Sequence, residues 1–176
     1  PDGESTYLRL STRNIRQVER DGDGWRDGAL KGGYWLREPR LGSEAAIVAM
    51  GAVMPEALAA WGELRDDIPG LGLLSVTSPD LLHRGWSSAQ AARWSGRREP
   101  SHVEQLLSAL GRNAGLVTIA DAAPASLSWL GGVLGQRVAP LGVDRFGQTA
   151  SLDDLYAADR LDGQAITEAA AEVLLQ

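Results

Sequence analysis

Three short apolar runs, Ala45 to Met50, Leu71 to Thr77 and Leu116 to Ala120, constrain this chain more than any other feature. The first has no polar alternation and ends at Gly51, the profile of a strand buried on both faces. The other two also read as strands. A strand covered on both faces requires helices on both sides of its sheet, and helix signals fill the gaps. Pro55 suits a first helical turn, and Ala57, Trp61, Leu64 and Ile68 line one face before Pro69-Gly70 ends the helix. Ser78-Pro79-Asp80 supplies an N-cap, a first-turn proline and an acid at the positive end of the next helix. Ser101 and Glu104 form a capping box, with Val103, Leu106, Leu107 and Leu110 as the stripe behind it and Gly111 closing it.

Two more strands are expected, Lys31 to Arg37 before these runs and Gln136 to Val143 after them, with a helix near Pro124 to Leu134. Helices over Ser151 to Ala158 and Asp162 to Leu175 finish the chain, the last with Ile166, Ala170, Val173 and Leu174 on one face. The pattern predicts an α/β fold, a mostly parallel sheet with helices on both faces. With 176 residues the chain suits one domain with a full core.

A net charge of −6 argues against nucleic-acid binding, and no apolar run reaches the roughly 18 residues that cross a bilayer. The chain has no cysteine, so disulfides and thiolate chemistry are excluded; a cytoplasmic location is expected. Six tryptophans stand beside one phenylalanine. Trp61 belongs to a core stripe, whereas Trp25, Trp86 and Trp94 read equally as core or as anchors for another domain or subunit.

The first residue is Pro1, and Ser5 to Leu10 reads as a strand followed by a polar, glycine-dotted passage from Ser11 to Gly28. A cut upstream of a domain boundary would leave this arrangement. The expected division is residues 1–30, the end of a preceding domain plus linker, and residues 31–176, one α/β domain.

Motifs for chemistry are few. Gly70-Leu71-Gly72 precedes a strand, so it cannot aim a helix N-terminus at a pyrophosphate. The Asp21, Asp23, Asp27 passage has Trp25 and Arg26 where a calcium loop needs a ligand and a glycine. His83 and His102 lack partners at metal spacing; His102 is expected to be exposed and His83 to serve at the surface or an interface. No catalytic, metal or cofactor-binding residue is assigned. One generic site remains, the crevice beyond the carboxyl ends of the strands, with Gly51, Ala52, Val53, Thr77, Ser78 and Asp121 on its rim. The helix entering at Pro55 would offer N–H groups to an anion there.

Four segments resemble the C-terminal domain of transketolase-like thiamin-diphosphate enzymes. Thr6 to Ser11 is similar to the last strand of the preceding pyrimidine-binding domain, and Ile47 to Val53 with Glu56-Ala57-Leu58 to the family's strand–glycine–helix start. Leu74 to Leu82 resembles its third strand and turn, and Leu141 to Thr149 its most specific loop, with Leu155 and Asp162 after it. Ser75-Val76-Thr77-Ser78 and the Trp86-to-Pro100 stretch look most like the decarboxylating component of homodimeric pyruvate dehydrogenase. Asp144-Arg145-Phe146-Gly147 departs from the Asp-Gly-Phe-Gly of the commonest bacterial members, which leaves the 2-oxo acid open.

The resemblance implies a five-stranded mixed sheet, its first strand antiparallel, in a three-layer α/β/α unit. It implies a homodimeric parent that uses thiamin diphosphate and magnesium to decarboxylate a 2-oxo acid, then hands the acyl unit to a lipoyl acyltransferase. The cofactor then lies between upstream domains, so none of its residues falls in this chain, and the domain's role is structural and dimer-supporting. Two other readings stay open: the matching domain of a transketolase or related synthase, and a free-standing module that binds a small anion at the crevice.

Overall fold

The run at Ala45–Met50 forms the middle of the sheet. Strand β2 (Ser43–Met50) lies between β3 (Gly72–Val76) and β4 (Leu110–Ala120), and Ala46, Ile47, Val48 and Ala49 are each 0% exposed. Strands β1 (Gly33–Arg37) and β5 (Arg137–Leu141) are the edges, in the order β1-β3-β2-β4-β5. β1 runs antiparallel to β3, and the other pairings are parallel. The computed structural model describes residues 11, 13–20 and 22–175; the strand expected over residues 5–10 lies outside them.

Alternation along β2 splits the core into two layers. Ala45, Ile47 and Ala49 face α2 (Met54–Leu64) and α8 (Gly163–Leu175), where Ala57, Ala60, Ile166, Ala170 and Val173 close the layer. Ala46 and Val48 face α3 (Pro79–Trp94), α4 (His102–Leu107), α5 (Ala125–Ser128) and α6 (Gly131–Leu134). Burying a side chain the size of Leu107 or Ile166 contributes roughly 2–3 kcal/mol. The remaining helices are α1 (Trp25–Leu30) and α7 (Leu152–Ala158).

The helix starts follow their local chemistry. The Ser78 hydroxyl accepts from the Leu81 N–H at 3.2 Å, and both halves of the Ser101/Glu104 capping box are present. Asp162 Oδ1 accepts from the Ala165 N–H at 2.8 Å at the start of α8.

Several boundaries differ from the sequence reading. α4 stops at Leu107, and Leu110, assigned to its stripe, opens β4 instead. Leu110 pairs in register with Ser43 and is buried by the sheet, so its apolar character served a strand. β4 therefore runs 110–120 rather than 116–120; its early residues, Arg112 and Asn113, are exposed and carry no apolar signal. The helix expected over 124–134 is two short helices, α5 and α6, separated at Trp129-Leu130 ahead of Gly131-Gly132. Within the polar passage, residues 25–30 form α1, held because the Thr77 hydroxyl donates to Ala29 O at 2.6 Å and Trp25 packs on Tyr34. His102, expected exposed, is half-buried; its Nε2–H donates to the Gly33 carbonyl at 2.8 Å.

Candidate functional site at the carboxyl edge of the sheet

The chain leaves β2 through α2 on one face, toward β3. It leaves β4 through α5 on the other face, toward β5. The gap between the ends of β2 and β4 is thus the point where the connections diverge, the place where open α/β sheets form a crevice. Met50 pairs with Ala120, so Gly51 and Asp121 are the first residues beyond the sheet on either side. Gly51 has φ +80, a backbone region that side chains disfavour, and this lets the chain turn at once into a 3-10 turn over Gly51–Val53 and then α2. Val53 is fully buried and serves the core.

The crevice is filled from within the chain. One Arg13 guanidinium nitrogen lies 2.7 Å from Glu56 Oε1, and another lies 3.5 Å from the Ala52 carbonyl. The guanidinium carbon lies 5.5 Å from the centroid of the Tyr156 ring. Glu56 stands in the first turn of α2, where a carboxylate complements the helix dipole, and its Oε2 is buried without a partner. Tyr156 is 7% exposed, and its phenol pKa is pushed up, first by burial and then by the nearby Asp121 carboxylate. Arg13 is held more firmly protonated, chiefly by its hydrogen bond to Glu56. The Glu56 carboxylate, the Ala52 carbonyl and the Tyr156 ring thus present one guanidinium with partners suited to a cation.

Of the six rim residues expected from sequence, Gly51, Ala52, Val53 and Asp121 surround this gap. Thr77 and Ser78 end β3, across β2 from Asp121. Their N–H groups both donate to Gly32 O at 2.9 and 3.0 Å, and the Ser78 hydroxyl caps α3, so their polar atoms hold α1, β1 and α3 together. Arg13, Glu56 and Tyr156 were not anticipated. Glu56 had the one readable signal, an acid in a helix's first turn.

The family model for the transketolase-like TK C-terminal domain matches residues 32–162, most of the chain and all five strands. The chain belongs to that family. Among solved structures, this transketolase-like domain is similar to a transketolase from Pichia stipitis, at 20% identity and TM-score 0.62, covering 93% of this chain and 20% of that one. It is similar also to transketolase from Leishmania mexicana, at 15% identity and TM-score 0.59, covering 85% and 19%. A split-gene transketolase described as an inactive β4 tetramer matches at 19% identity and TM-score 0.55, covering 82% and 42%. The domain thus spans about a fifth of the first two chains and under half of the third. No curated protein sequence matches it.

Elsewhere on the transketolase-like domain, the loop over Asp144 to Ala150 is exposed, with Phe146 at 95%, and Arg145 pairs with Asp159 behind it. His83 is exposed and meets Trp129 edge-on at 4.9 Å, while Trp86 and Trp129 stack at 5.6 Å. Trp61 is half-buried against the core and donates its Nε1–H to Leu71 O at 2.8 Å. Trp94 is 93% exposed. Among the described residues, no group of three or more His, Cys, Asp or Glu could hold a metal ion, and no helix is long and apolar enough to cross a membrane.

Proposed function

We propose that this domain completes the subunit of a homodimeric, thiamin-diphosphate-dependent 2-oxo acid dehydrogenase, with pyruvate the first substrate to test. The family match over residues 32–162 supports the domain type, and the resemblance of the Ser75–Ser78 segment and the Trp86-to-Pro100 stretch to the decarboxylating enzymes favours this parent. The stretch continues α3 to Trp94 and then runs as a loop to α4. When bound, thiamin diphosphate would supply the carbanion that attacks the 2-oxo carbon. The donor set of the crevice does not suit that cofactor, because Glu56 neutralises Arg13 and Asp121 adds a second negative charge, which a diphosphate would meet at close range. The domain's own contribution is then architectural: a rigid sheet whose carboxyl edge, with exposed Phe146, abuts the upstream domains of the parent. Similarity to a split-gene transketolase described as an inactive β4 tetramer supports a domain that is inactive by itself.

A second reading, the C-terminal domain of a transketolase, is favoured by the similarity to the transketolases of Pichia stipitis and Leishmania mexicana. One experiment separates the two. The full gene product is assayed with thiamin diphosphate and magnesium, giving it pyruvate and a lipoyl acceptor in one arm and a ketose phosphate with an aldose phosphate in the other. Acyl transfer is the expected outcome; ketol transfer alone would replace the first reading with the second. Calorimetric titration of the 176-residue chain is expected to show no micromolar binding of thiamin diphosphate.

A further inference from the structure

The segment over residues 13–20 has no regular secondary structure, yet it is pinned at both ends by arginines. At one end Arg13 enters the crevice. At the other, the Arg20 Nε–H donates to the Tyr34 hydroxyl at 2.8 Å, and its guanidinium lies 4.6 Å from the centroid of a Trp25 ring. Between the two pins the segment stands off α2, leaving a groove of about 580 Å³ whose floor includes Pro55, Leu58 and Ala59. Among the described residues, the hydrogen bonds from this segment to the rest of the domain all come from Arg13 and Arg20.

The Arg13 end has the features of a recognition site. A carboxylate, a backbone carbonyl and an aromatic face converge on one planar cation, each using a different part of it. A guanidinium can donate in its plane and stack through its face at once, whereas an ammonium is a point charge that cannot do both. The second oxygen of the same Glu56 carboxylate is buried and, among the described residues, unpartnered, so acceptor capacity remains on that group.

We propose that the switch-point crevice is a guanidinium-binding site whose resident ligand is Arg13, and that this occupancy straps the incoming segment onto the domain. The site is independent of which reaction the parent performs. Its ligand class is an alkylguanidinium, supplied in cis by the chain entering the domain. Removing Arg13 frees the segment and opens the site to a guanidinium from solution.

The test uses the whole 176-residue chain. Arg13→Ala is titrated with ethylguanidinium chloride by ligand-observed NMR, against sodium chloride at matched ionic strength. Saturable millimolar binding is expected in Arg13→Ala, with at least about tenfold weaker binding in the natural chain and in the double variant that adds Glu56→Gln. Binding that is equal in all three proteins, or absent from Arg13→Ala, overturns the proposal. Limited proteolysis provides a second reading that does not depend on Arg13→Ala. In Glu56→Gln trypsin should cut after Arg16 at least about tenfold faster than in the natural chain, with far-UV circular dichroism unchanged. Arg13→Lys should behave like Glu56→Gln, because charge alone does not satisfy the site. Unchanged cleavage in Glu56→Gln, or natural-like cleavage in Arg13→Lys, would also reject it.

Discussion

Glu104 is 5% exposed, and its Oε2 accepts both the N–H and the hydroxyl of Ser101 at 2.7 Å while Oε1 meets the Arg93 guanidinium. Burial pushes its carboxyl pKa up, but these donors together outweigh burial and hold it below the ordinary value. A depressed folded pKa stabilises the fold fully above the unfolded value of about 4.3, and the contribution is lost as pH falls through the folded pKa. Glu104→Ala is expected to cost about 2–3 kcal/mol at neutral pH, measured by urea unfolding, since it removes a cap and leaves Arg93 without its carboxylate. Glu104→Gln should lose less stability than the natural protein between about pH 5 and 3; parallel pH profiles would remove Glu104 from this role. The spacing of Ser101 and Glu104 made the cap legible in sequence. Arg93 was not, because it lies eleven residues away at the end of α3 and meets Glu104 only when α3 and α4 pack together.

At the scale of elements, the contact between α8 and β4 shows why a strand glycine can matter without any unusual backbone. A Cβ on Gly115 would stand 2.5 Å from Val173 Cγ1 and 3.2 Å from Val173 Cβ. Val173 is β-branched on a helix, so it has little rotamer freedom with which to yield, and α8 itself must shift. Gly115→Ala is therefore expected to destabilise by about 1–3 kcal/mol in chemical denaturation. Val173→Ala in the same chain should recover part of that loss, whereas simple additivity of the two changes would mean the helix does not rest on Gly115. Helices α2, α3 and α8 were legible from a first-turn proline, a cap and periodicity that act within a few residues. Leu110 was misread because its spacing satisfied a helix stripe, while the pairing that decided the matter, with Ser43, belongs to a partner strand far earlier in the chain.

For the molecule as a whole, both core layers share β2, whose residues alternate between them. Neither layer can lose its packing while the other keeps its sheet, so unfolding should be a single transition. Tryptophan fluorescence samples both faces, through Trp61 on α2 and through Trp86 on α3 and Trp129 at the end of α5. Its denaturation midpoint should coincide with that of far-UV circular dichroism; separated midpoints would mean that one layer melts first. By itself the sequence determined the strands, most helices, two caps and the class of sheet, because periodicity and capping are settled among neighbours on the chain. Tertiary structure alone decided what occupies the crevice. Arg13 and the Ala52 carbonyl lie 39 residues apart, and Tyr156 comes from a helix near the other end. Only the order of strands, set by packing both faces of β2, brings those three segments to one edge of the sheet.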